Sequence, residues 1–133
     1  MGIVYEGDLR CCLTHGPSGE KILTDAPVDN MGKGAAFSPT DLVAAALGSC
    51  MLTVMGIVAQ RHQINLQGAR VDLEKEMVTA TVRRIGEIRV TLYMPKAIDP
   101  VKREMLERAA EHCPVHKSLH PDIKLPVKFI YPD

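Results

Sequence analysis

The 133-residue sequence has no tryptophan, three tyrosines and two phenylalanines. Platforms for stacking nucleic-acid bases are therefore scarce. It also lacks net charge, because sixteen Lys and Arg balance sixteen Asp and Glu. That balance removes the electrostatic argument for nucleic acid or an anionic membrane as a partner. The opening MGIVYEGDL has neither the basic n-region nor the apolar h-region of a secretory signal, so the cytoplasm is the expected compartment. It also lacks the Ser or Thr that myristoylation requires at the sixth position. No dinucleotide glycine fingerprint, P-loop, HExxH zinc motif or GxSxG elbow occurs, and no bound cofactor is expected. Cysteine is sparse: Cys11, Cys12, Cys50 and Cys113, with neither a CxxC pair nor a zinc-ribbon spacing. In the cytoplasm these start as thiols. Adjacent Cys11 and Cys12 would face opposite sides of a strand, a structural role.

What is present is organised around residues 38–62, SPTDLVAAALGSCMLTVMGIVAQRH. Ser38 is a good N-cap, Pro39 suits the first helical position, and Asp41 puts a carboxylate in the first turn. The eighteen residues from Leu42 to Ala59 carry no charge. The stretch predicts a helix roughly 36 Å long. A domain of this size has a radius of gyration of about 14 Å, so the helix would cross the whole body. It is apolar on every face. It reaches the length of a membrane span, but small residues abound and no basic cluster marks a flank. It reads instead as a buried central helix, with no membrane partner. A helix apolar all round must be covered all round. One sheet from so short a chain covers one side, and a second subunit is the natural cover for the other.

The rest reads as one α+β domain, 1–133, in the order ββ-α-ββ-α-β. Residues 3–14 predict a strand, 15–19 a turn, and 21–24 a second strand. Residues 25–37 (DAPVDNMGKGAAF) form a loop long enough to suspect a function, and Lys33 is its lone cation. After the central helix, 69–81 and 85–94 alternate as a long hairpin, with Ile88, Val90, Leu92 and Met94 inward. Asp99 and Pro100 start a second, amphipathic helix that Pro114 ends. The turn PVHKSL and a strand over 124–131 close the chain.

Two cysteines sit where chemistry is conceivable. Cys50 lies mid-helix beside Gly48 and Ser49, small enough for another chain or ligand to come close. On its own it reads equally as a small buried hydrophobe. Cys113 precedes Pro114. If 114–119 make a helical turn, Cys113 is its N-cap, in an environment that lowers a thiol pKa, with His112, His116 and Lys117 adding positive charge. It reads equally as an unreactive thiol at a helix break. A metal set of His112, Cys113, His116 and His120 lacks a second cysteine or a carboxylate to complete a tetrahedron, so no metal is expected.

SPTDLVAAALGSCM, followed sixty-three residues after Cys50 by Cys113-Pro114-Val115-His116-Lys117, resembles the OsmC/Ohr family of thiol peroxidases. These are the osmotically inducible and organic hydroperoxide resistance proteins, and the likeness is nearest to the OsmC-like branch. It spans nearly the whole chain. The resemblance implies an intertwined homodimer, its central long helices wrapped by antiparallel sheets. It implies that Cys50 is the peroxidatic thiolate and Cys113 the resolving thiol. Cys50 would reduce an organic hydroperoxide, become a sulfenic acid, and close a Cys50–Cys113 disulfide that an external dithiol reopens. Family peroxidases place a glutamate after the motif proline and pair it with an arginine. Here Thr40 holds that place and Asp41 follows, while Lys33 is the cation of the preceding loop and Arg10 lies on the first strand. Lys33, Thr40, Asp41 and His116 are the expected supporting residues. A second expectation is a non-enzymatic dimer of this fold, binding a small apolar ligand or acting as a redox-sensitive interaction protein.

Overall fold

The computed structural model describes all residues, Met1–Asp133. They form two compact units, Met1–Val43 and Ala44–Asp133.

The first unit is a three-stranded antiparallel sheet of β1 (Gly2–Gly7), β2 (Arg10–Thr14) and β3 (Lys21–Asp25), in that order. The strand expected over 3–14 is thus two strands. Gly7, Asp8 and Leu9 all take left-handed backbone angles, φ 85°, 53° and 62°. Consecutive left-handed residues reverse the chain in a tight hairpin. Leu9 hides that turn from a pattern reading, because a branched apolar residue is an unusual occupant of such a position. Cys11 pairs with Tyr5 and Thr24, and Cys12 with Val4 and Leu23, so the two thiols face opposite sides. Ile3, Tyr5, Leu13 and Ile22 share the Cys11 face. This face is open in the chain: Ile3, Tyr5 and Ile22 are 64%, 63% and 50% exposed.

The loop after β3 folds through one 3-10 turn, Val28–Asn30. Gly32 is required there, since a Cβ would lie 1.7 Å from the Ala26 carbonyl oxygen. The loop is pinned at Asp25, which is buried. Its Oδ2 accepts the Ala35 N–H at 2.9 Å and lies 3.7 Å from Arg10 Nε, while its Oδ1 has no hydrogen-bond partner.

Helix α1 (Pro39–Arg61) runs from the first unit into the second. Its start is a reciprocal cap. The Asp41 N–H donates to Ser38 Oγ, the Ser38 N–H donates to Asp41 Oδ2, and both bonds are 3.0 Å. Ala44, Leu47, Gly48, Met51, Met55 and Ala59 are its buried residues, recurring every three or four positions along one face. A third of its most apolar stretch is buried within the chain, and Ile57 is 46% exposed.

In the second unit β4 (Arg70–Val78) pairs antiparallel with β5 (Arg84–Tyr93). Helices α2 (Pro100–Glu111) and α3 (Pro114–Ser118) then lead to β6 (Val127–Ile130). The sheet is not antiparallel throughout, because β6 runs parallel to β5. The helical crossover between them makes that possible, since parallel neighbours need a long connection. Ile88, Val90, Leu92 and Met94 are buried as expected, with Leu47, Met51, Met55 and Leu106 completing the core. Gly48 lets α1 lie close on β4: a Cβ there would meet Leu73 Cδ1 at 2.8 Å and Val71 Cγ1 at 3.0 Å. On β5, Arg89 is bonded by the carboxylates of Glu74, Glu76 and Glu87, which raise its pKa further above the usual arginine value.

Candidate active site

Two elements of the second unit carry the reactive side chains. Cys50 stands on α1, one residue before buried Met51, and is half-buried. Cys113 stands in the break between α2 and α3. The break follows from local chemistry. His112 caps α2, its backbone N–H returning to Ala109 O and Ala110 O. Pro114 cannot continue the helix, but it suits the first position of the next one. Cys113 is therefore extended, with φ −66° and ψ 148°, and its Sγ accepts the His116 N–H at 3.3 Å. The thiol is an N-cap, as the sequence predicts. It is also fully buried.

The two thiols lie near enough for Cys50 to raise the Cys113 pKa. The shift is thus upward, not downward as the cap position led us to expect. Burial is the largest cause, and Cys50 adds to it. The backbone N–H groups of His116 and Val115 oppose the rise without reversing it. Desolvating a thiolate costs more here than two amides return. The buried member is thereby held as a thiol.

Of the expected supporting residues, His116 is at the site, and the structure engages it through its backbone N–H. Lys33, Thr40 and Asp41 belong to the first unit. Lys33 is exposed in the loop. Thr40 Oγ1 lies 3.2 Å from Ser38 Oγ, and Asp41 completes the α1 cap. No group of three or more His, Cys, Asp or Glu side chains gathers to hold a metal, so His112, Cys113, His116 and His120 form no such set. The sequence reading missed one feature. Buried Asp25 looked like the first residue of a polar loop; its only sign is that it ends an alternating strand.

A profile of the OsmC-like protein family matches residues 32–128, which include both cysteines. The chain belongs to the OsmC-like family. A Psychrobacter arcticus protein, named for osmotic stress induction and a detoxification response, is 42% identical. It superposes with a TM-score of 0.92 over 96% of this chain and 93% of its own. The organic hydroperoxide resistance protein OsmC of Legionella pneumophila is 16% identical, with a TM-score of 0.74 over 98% of this chain and 97% of its own. A Vibrio cholerae protein described as an organic hydroperoxide resistance protein, with captopril in one of its active sites, is 15% identical. Its TM-score is 0.75 over 96% of this chain and 88% of its own. The last two share the OsmC fold with this chain. A comparison with curated proteins returns no match.

Proposed function

We propose that this OsmC-like chain is a cytoplasmic, homodimeric two-cysteine thiol peroxidase that reduces organic hydroperoxides in defence against peroxide stress. The observation that carries the proposal is the proximity of a half-buried thiol, Cys50, to a fully buried one, Cys113, the N-cap of α3, whose pKa it raises. The Cys50 thiolate attacks the terminal peroxide oxygen. The O–O bond breaks, Cys50 keeps that oxygen as a sulfenic acid, and the alkoxide leaves with a proton as the alcohol. The Cys113 sulfur then attacks the Cys50 sulfur and expels water, leaving a disulfide. A dithiol of the cell restores both thiols. The accessible α1 surface along the Cys50 face (Ala46, Val54 and Ile57) is apolar. An alkyl tail gains from burial there and a second hydroxyl does not, which favours organic hydroperoxides over hydrogen peroxide.

Two features support the homodimer. One third of the apolar stretch of α1 is buried in its own chain, and the first sheet exposes Ile3, Tyr5 and Ile22. Each is an apolar surface that a second copy would cover.

Stopped-flow mixing with cumene hydroperoxide, in the presence of a dithiol, tests the activity. Wild type is expected to consume peroxide and lose two thiols per chain. Cys50→Ser should fall to the rate of buffer alone. Unchanged turnover in Cys50→Ser would refute the reading. Ligand-dependent melting with no peroxide consumed would indicate a binding protein of the same fold.

A further inference from the structure

We propose that the turn end of the β4–β5 hairpin and the loop between α3 and β6 form a binding site for a free α-amino acid with a branched apolar side chain. The proposal does not rest on the peroxidase reading, since the cavity includes neither Cys50 nor Cys113.

The site begins with a bulge. The β4–β5 register slips between Glu76 and Met77, and Gly86 is the residue left without a partner. A Cβ on Gly86 would lie 2.5 Å from Val78 Cγ1, so glycine lets the Val78 side chain lie across the opposite strand. A bulge bends its strand and sharpens the twist. The loop before β6 is fixed to this end of the hairpin by two backbone bonds. The Lys124 N–H donates to Gly86 O and the Ile88 N–H donates to Lys124 O, each at 2.9 Å. Within the loop the Ile123 N–H donates to His120 O at 3.0 Å.

Between the two segments lies a cavity of about 420 Å³. Ligand sites span roughly 300–1,000 Å³, so this one suits a small metabolite. Its walls carry three kinds of chemistry. Val78, Ala80 and Val82 supply apolar surface, and Val82 is 69% exposed. Arg84 supplies a cation, and its Nη1 donates to Ile85 O at 3.1 Å, which holds the guanidinium at the wall. Asp122 supplies an anion, and its N–H donates to Nδ1 of His120 at 3.1 Å. That bond leaves the imidazole proton on Nε2, as a further donor.

The combination discriminates among ligands. A simple anion gains at Arg84 and is repelled by Asp122, and a simple cation meets the reverse. A neutral apolar molecule would cover both charges and pair neither, which is costly. A ligand with both signs on neighbouring atoms and an apolar branch satisfies all three walls. In an α-amino acid the carboxylate matches the planar fork of Arg84. The ammonium group pairs with Asp122, and the side chain lies against Val78, Ala80 and Val82. The His120 and Asp122 side chains are 66% and 67% exposed. Water therefore screens these contacts, and the expected Kd is modest, about 1 mM.

An amide nitrogen-15 NMR titration of the full chain tests the proposal, with L-leucine as the probe. Leucine is expected to shift the amides of 78–86 and 119–124 saturably and to leave those around Cys50 in place. N-acetyl-leucine lacks the ammonium group and leucinamide lacks the carboxylate, so each should bind about tenfold or more weakly. Arg84→Gln and Asp122→Asn should each weaken leucine by about the same factor. Both replace exposed side chains, and the unchanged remainder of the spectrum shows that the variant is folded. Val82→Ser should reduce the preference for leucine over glycine. No localised shift at about 20 mM leucine would overturn the proposal. So would leucine affinity unchanged in either charge variant. Equal binding of N-acetyl-leucine or inorganic phosphate would make this a plain anion site and overturn it too.

Discussion

The second unit has an apolar core of its own, with Leu47, Met51, Met55, Ile88, Leu92 and Leu106 all fully buried, and leaves Ile57, Val82 and Val101 exposed around it. The first unit has no such core. Ile3, Val4, Tyr5, Ile22 and Leu23 are exposed on its sheet, and its buried residues include Thr24, Asp25 and Ser38. A sheet of three short strands cannot make a core alone. Its interior is instead a set of polar anchors: the Asp25 carboxylate under the loop and Ser38 in the helix cap. The difference separates two tasks. The second unit is stabilised within one chain and carries the thiol pair. The first spends its apolar surface outward, where we propose a second copy covers it.

Substitutions can break that contrast. The largest effect is expected in the closed core, where Leu106→Ala should cost about 2–5 kcal/mol in urea unfolding. Next is Ile22→Ser. On an uncovered face it should change stability by no more than about 0.5 kcal/mol. Covered by a second copy it should cost about 1.5–3 kcal/mol. We expect the larger value, together with a midpoint that rises with protein concentration and a dimer mass by light scattering. A concentration-independent midpoint would show that the face is bare. Asp25→Ala should cost about 1–3 kcal/mol by orphaning the Ala35 N–H, with faster hydrogen exchange confined to 25–37. Asp99 accepts the Val101 N–H at 3.0 Å as the N-cap of α2. Asp99→Ala should therefore cost about 1 kcal/mol.

The smallest effect concerns pH. The Cys113 pKa is raised in the folded chain from an ordinary value of 9.0, chiefly by burial. The folded state therefore holds this proton more tightly than the unfolded state. The stabilisation is complete below pH 9 and declines as pH climbs from there towards the folded value. Cys113→Ala should flatten that part of a stability-against-pH curve.

Much of this was legible in the residues, and the reasons are local. The cap at Ser38 and Asp41, the α2 start at Asp99-Pro100 and the restart at Cys113-Pro114 are short-range hydrogen bonding, which sequence encodes directly. The inward alternation of Ile88, Val90 and Leu92 is equally direct. Three things were not. The hairpin at Gly7–Asp8–Leu9 places a leucine where turn chemistry favours Gly or Asn. The parallel direction of β6 depends on where a 33-residue crossover brings the chain back, which no local pattern records. The raised Cys113 pKa depends on what surrounds the thiol. A cap position is readable from Pro114, but the dryness around it comes from distant chain.

That crossover also sets a sequence in time. β6 is bonded to β5 only through a connection containing α2 and α3, so this parallel pairing waits for a long loop to close. Cys113 lies inside that connection. Its meeting with Cys50 belongs to the late stage of folding, after the β4–β5 hairpin has formed from nearby residues. Until then Cys50 is a thiol without a partner, on a helix not yet covered. Pulsed alkylation during refolding should find Cys113, fully buried once folded, still reactive after the β4–β5 amides are protected. On this account the thiol pair is among the last parts of the fold to assemble.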